Sequence, residues 1–217
     1  MLVADALPSA VKTTISQVKQ NHRIQLATTA IKGMSGIVIH DYGNGLSAIT
    51  HAVVSLGGKQ AKVIPYTVIE HEKIPSIQTT VVKGDKIVLG NFYQNAFVLA
   101  PNAQSYENVV KKYNRLWTHP DAYALNFLDE DESDISLDNI ENFAKKYQIG
   151  LVLIVEKNKL RILDPISHSF IKEISFTSSE KEPMSPFYAR FEQMTKSLFD
   201  SSNKTYTPYY QAIERLK

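Results

Sequence analysis

With 217 residues, 43% hydrophobic and 21% charged, and a formal net charge of +2, the chain has the make-up of a globular protein of one large or two small domains. Residues 1–100 hold nine Lys/Arg against five Asp/Glu and the rest fifteen against seventeen, so neither half offers the basic surface a nucleic-acid partner needs. Cysteine is absent, which excludes disulfides, thiolate nucleophiles and Cys-based zinc sites, and no apolar run reaches the roughly 18–20 residues of a membrane-spanning helix.

At the start, Ala4-Asp5-Ala6 fits the small-x-small pattern of a signal-peptidase site, with Leu7-Pro8 as the opening of a mature chain. The apolar core expected before such a site is missing, and a disordered N-terminus fits the same residues. Residues 10–24 read as strand, turn and strand, with Val11, Ile15 and Val18 among polar neighbours and Gln20-Asn21-His22 at the turn. GIVIH and SAITHAVV flank Asp41-Tyr42-Gly43-Asn44-Gly45, whose Gly and Asn residues accept the positive φ of a tight turn. Folded symmetrically, this hairpin sets His40 opposite Ala48 and His51 opposite Ile37. Gly57-Gly58 is expected to end a strand that pairs with Ala61–Thr67. Thr79–Val82 and Lys86–Leu89 are expected to be strands separated by Lys83-Gly84-Asp85. Strands this closely spaced close into a barrel or sandwich, because open edges invite aggregation.

The pattern changes within Gly84–Asn108. Ala96–Ala100 is a short apolar strand, after which Asn102 or Ser105 caps a helix carrying Val109, Tyr113 and Leu116 at helical spacing. Thr118-His119-Pro120 starts a second helix, with Pro120 in its first turn. Ser136 caps a third, with Leu137, Ile140, Ala144 and Tyr147 on one face and Gly150 beyond its end. Leu151–Val155, Leu160–Leu163 and Phe170–Phe176 are strands. Ser185-Pro186 is expected to open a helix with a core stripe of Phe187, Phe191, Met194 and Leu198. The predicted class is α+β: a small antiparallel β-barrel-like unit over about residues 8–95, a compact α/β unit over 96–200, and a C-terminal tail or helix over 201–217.

Familiar chemistry is missing. There is no GxSxG elbow, Walker loop or GxGxxG fingerprint, and the six histidines show no HxH or HxxxH pairing. Counted as a calcium loop from Asp129, the acidic run puts Asp134 where glycine is needed and Ile140 where a bidentate glutamate is needed. A solvated loop is the expectation there. Neither a metal nor a cofactor is expected, and the chain reads as a non-catalytic protein. Tyr206, Tyr209 and Tyr210 are the tyrosines expected to be exposed.

Four blocks carry a family resemblance: GMSGIVIHDYG at 33–43, VVKGDKIVLGNFYQNAFVLAPNAQSYENV at 81–109, WTHPDAYALNFLDED at 117–131 and FAKKYQIGLVLIVEKNKLRILDP at 143–165. In order and spacing they resemble the N-terminal region of the epsilonproteobacterial plasminogen-binding surface proteins of the PgbA type. The resemblance implies an exported envelope protein, at the cell surface or in the periplasm, that captures host plasminogen. Family members often carry a further charged C-terminal region that this sequence does not include, and capture could reside there. The alternative is a periplasmic scaffold of an envelope machine such as the flagellar motor, with other envelope proteins as partners.

Plasminogen takes lysine ligands in its kringle modules, where an acidic pair receives the ammonium, aromatic walls hold the stem and basic groups receive a carboxylate. Lys217, the last residue given, supplies both charges if it is the natural terminus. Lys145 and Lys146, with Glu141 and Asp138 at helical spacing, are internal candidates, and Lys111 and Lys112 with Glu107 have the same geometry. A solvated helix face with weak ion pairs explains the same residues.

Overall fold

The computed structural model describes residues 7–66, 79–129, 132, 134–191 and 206–216. The contacts divide it into two compact units, one of Pro8–Tyr93 and one running from Gln94 onward together with Leu7. Ten strands and four helices lie among the described residues, so the fold is α+β.

The first unit is built from β1 (Val11–Val18), β2 (Arg23–Ala30), β3 (Ser35–Gly43), β4 (Leu46–Pro65) and β5 (Lys86–Leu89). They close in the order β1-β2-β4-β3-β5, all antiparallel, with β5 pairing both β3 and β1. Alternation puts Ile15, Ile24, Leu26, Val38, Val53, Val63, Ile87 and Leu89 inside, each nearly or fully buried. The β1–β2 turn uses left-handed Asn21 and His22, and the β3–β4 turn uses Gly43, Asn44 and Gly45 with positive φ throughout.

Two expectations are corrected in this unit. Gly57-Gly58 does not end a strand. Both residues take positive φ, and the strand runs through them, leaving β3 and continuing along β2. Ala61–Pro65 is therefore the second half of the same strand, and residue 67 lies outside the described residues. Residues 79–82 form no strand, because the Val82 amide donates to the buried Asp85 carboxylate at 2.9 Å and makes a side-chain turn into β5. Gly36 permits a close crossing: a Cβ there would overlap the Val88 backbone of β5. In the hairpin, His40 faces Ala48 as expected, but an irregularity after Val38 sets His51 against Val38 instead of Ile37.

The second unit is a five-stranded sheet. It comprises β6 (Asn95–Leu99), α1 (Ala103–Lys112), β7 (Leu116–Thr118), α2 (Pro120–Asp129), α3 (Leu137–Tyr147), β8 (Leu151–Val155), β9 (Lys159–Asp164), β10 (Ser169–Ser175) and α4 (Tyr209–Glu214). The order is β10-β9-β8-β6-β7, with β7, β6 and β8 parallel and β8, β9 and β10 antiparallel. Phe97, Leu99, Val152 and Ile154 share one buried cluster with Tyr123 and Phe127 of α2, Ile140 and Phe143 of α3, and Tyr209 and Ile213 of α4. Every residue of β8 is buried, as its unbroken apolar run requires.

Leu116 belongs to β7, not to the helix before it: its amide donates to Gln94 O and lays the segment beside β6. The helix expected from Ser185 is not present over 185–191. There the amides of Tyr188 and Arg190 donate to Ala100 O and Asp121 Oδ1, so tertiary bonds replace the helical ladder. Met194 and Leu198 lie outside the described residues.

Candidate functional site

The α3 helix presents the internal lysines, and its ends are well fixed. Ser136 Oγ accepts from the Asn139 amide at 3.2 Å while Asn139 Oδ1 accepts from the Ser136 amide at 3.0 Å, a reciprocal capping box. Asn139 Oδ1 also accepts the Tyr123 hydroxyl at 2.6 Å, tying the cap to α2. At the other end Gln148 takes φ +55 and closes the last turn, the left-handed role the sequence pointed to Gly150 for. Ile140, Phe143 and Ala144 face the core, which turns Asp138, Glu141, Lys145 and Lys146 outward.

On that face Lys145 Nζ lies 2.8 Å from Glu141 Oε1, one turn back. Lys146 Nζ lies 3.2 Å from Asn126 Oδ1 of α2. The exposed Lys145 pair contributes about 0–1 kcal/mol, while the exposed Lys146 donates to the neutral amide of the buried Asn126. Lys111 pairs with Glu107 at 2.7 Å with both side chains largely exposed. Lys217 lies outside the described residues, as do Ala4-Asp5-Ala6, His71, Glu130, Asp131 and Ser133.

A second location follows from topology. The chain leaves β6 for β7 on one side and returns from β7 to β8 on the other, so the carboxyl ends of β6 and β8 frame the crevice where open α/β sheets hold ligands. Here the crevice is filled from within. The Tyr209 hydroxyl is directed at Leu99 O and Val155 O, at 2.8 and 2.7 Å, the last carbonyls of those two strands. Tyr209 is fully buried, which corrects its expected exposure, and Tyr206 and Tyr210 are half-buried. Burial pushes the Tyr209 phenol well above the usual tyrosine range, with Tyr210 and Glu156 adding to the shift. Arg161 holds α4 in place by donating to Ile213 O and Leu216 O at 3.0 and 3.1 Å while stacking on Phe170.

Titratable groups also meet at the start of α2. His119 Nδ1 accepts from the Asp121 amide at 3.2 Å, and its ring stands edge-on to Tyr106 and Tyr188. Burial holds the His119 imidazole below its ordinary value. Burial alone would raise the Asp121 carboxyl, but the Arg190 amide and guanidinium, at 2.8 and 2.6 Å, more than offset it and the carboxyl is lowered.

The remaining cluster joins residues no local spacing connects. Asp138 and Glu141 of α3 meet His168 from the turn between β9 and β10, with Glu141 Oε2 at 2.7 Å from His168 Nε2. Asp164-Pro165 is the local signal available for that turn, one that the strand reading does not use. Nothing in the sequence marked the helix it would reach.

Comparison with known proteins places the chain in a family. The sequence matches the family described as plasminogen-binding protein pgbA N-terminal over residues 10–213. Two relatives named plasminogen-binding protein PgbA, from Helicobacter pylori strains J99 and 26695, are each 26% identical over 181 residues. That stretch is 81% of this chain and 40% of each relative, so the chain spans less than half the length of the curated relatives it matches. No solved structure matches.

Proposed function

The chain belongs to the plasminogen-binding protein pgbA N-terminal family, and from that premise we propose that it binds plasminogen as a non-catalytic protein exported to the bacterial envelope. The observation that carries this reading is the family match across nearly the whole chain, together with the shared name of the two relatives. The binding chemistry is lysine presentation to kringle modules.

Lys145 and Lys146 suit that chemistry among the described residues. They stand side by side on the exposed face of a helix capped at both ends, so the backbone beneath them is ordered before binding. The Lys145 ammonium is held by a surface ion pair weak enough for a kringle carboxylate pair to displace, and Lys146 has no carboxylate partner among the described residues. Glu141 and Asp138, one and two turns back, supply the carboxylates that the basic part of a lysine pocket receives. The filled crevice at the ends of β6 and β8 supports the non-catalytic reading, since the usual ligand position of such a sheet is taken by Tyr209.

Plasminogen binding to the immobilised chain, compared with a Lys145→Ala/Lys146→Ala variant and with a version lacking Lys217, tests the assignment. The double variant is expected to lose about tenfold or more in affinity, the equivalent of one charge-assisted hydrogen bond. Full affinity in the double variant overturns the internal site, and loss on removing Lys217 moves it to the C-terminus.

A further inference from the structure

Asp138 and Glu141 are three residues apart on α3 and share a face, and His168 reaches them from the β9–β10 turn. One donor atom from each side chain lies within 4.8 Å of the other two. A tetrahedral Zn2+ with bonds near 2.0–2.1 Å spaces its donors about 3.3 Å apart, inside the 4.8 Å these three donors span. The histidine sits on a built turn. Asp164, fully buried, accepts from the Ile166 and Ser167 amides at 3.1 Å each, and His168 itself takes φ +53. Its Nε2 lies 2.7 Å from Glu141 Oε2, so a bound ion would take the place of the hydrogen between them.

We propose that Asp138, Glu141 and His168 bind a divalent first-row transition ion, with Zn2+ the best match to one imidazole and two carboxylates. Among the described residues no other group of three His, Asp or Glu side chains meets at this spacing. Three protein donors on a partly exposed surface leave further positions for water, the pattern of an open site. Lys145 is the built-in competitor: its ammonium holds the other Glu141 oxygen at 2.8 Å and opposes an incoming cation.

The test is isothermal titration calorimetry of the chain, carrying no histidine tag, with zinc chloride near neutral pH in a non-chelating buffer. One equivalent is expected to bind. Asp138→Asn and His168→Asn should each weaken binding by roughly tenfold or more, since loss of even an outer-sphere partner costs that much. Asparagine tolerates the left-handed backbone at 168, so the second variant keeps the turn. Lys145→Ala should tighten binding, and His22→Asn, on the β1–β2 turn of the other unit, should leave it unchanged. Failure to bind one equivalent, or binding that survives both Asp138→Asn and His168→Asn, overturns the proposal. No arm of the experiment depends on plasminogen.

Discussion

A single hydroxyl spans the carboxyl ends of β6 and β8 beyond their ladder. Tyr209 is fully buried, and its hydroxyl lies 2.8 and 2.7 Å from the last carbonyls of the two strands. Tyr209→Phe removes the donor and keeps the ring, so it is expected to cost about 1 kcal/mol in chemical denaturation, the loss of a buried hydrogen bond. Because the folded phenol is raised above its unfolded value, its contribution is complete below about pH 10 and is lost as pH rises through the folded value. His119 works in the opposite direction. Its folded value is depressed below 6.5 because burial, with Arg190, outweighs the opposing Asp121 carboxylate, so its contribution is present above that pH and is lost as pH falls through the folded value. Protonated Nδ1 can no longer accept the Asp121 amide at the head of α2. Melting temperatures between neutral and mildly acid pH should therefore fall less for His119→Asn than for the parent, since asparagine caps without titrating. An equal fall in both proteins would contradict this role.

At the scale of elements, α3 shows what local chemistry decides. Ser136 defined its start in the sequence, and the capping box bears this out; of the expected face of Leu137, Ile140, Ala144 and Tyr147, Ile140 and Ala144 are buried beside Phe143 while Tyr147 is exposed. Ser136→Ala should destabilise the chain by about 1 kcal/mol in a denaturant titration, and no measurable change would mean the cap is dispensable. The β1–β2 and β3–β4 turns were equally legible, because Asn and Gly at positive φ announce themselves. Elements set by distant partners were not. β7 is three residues long and exists through the Leu116 amide on Gln94 and its register with β6. Gly57-Gly58 looked like a terminator because two glycines mark both the end of a strand and a strand that changes neighbours. Residues 185–191 follow a helical apolar spacing, yet their amides are taken by Ala100 and Asp121. Neither the crevice filled by Tyr209 nor the meeting of His168 with α3 has a local sign, since each joins segments brought together only by the sheet order.

Over the whole molecule, the balance of charge is compatible with the proposed capture of plasminogen. A net charge of +2 with no basic half offers no electrostatic reason for nucleic acid to bind. Capture by lysine presentation needs only a few exposed cations on an ordered surface, which α3 provides. The chain corresponds to 40% of its named relatives, so the deciding question is whether this portion captures plasminogen by itself. The direct measurement is plasminogen binding to the purified 217-residue chain, with and without a saturating lysine analogue such as ε-aminocaproic acid. The account predicts saturable binding that the analogue abolishes. Binding that ignores the analogue would contradict lysine presentation, and no binding at all would contradict capture by this part of the protein.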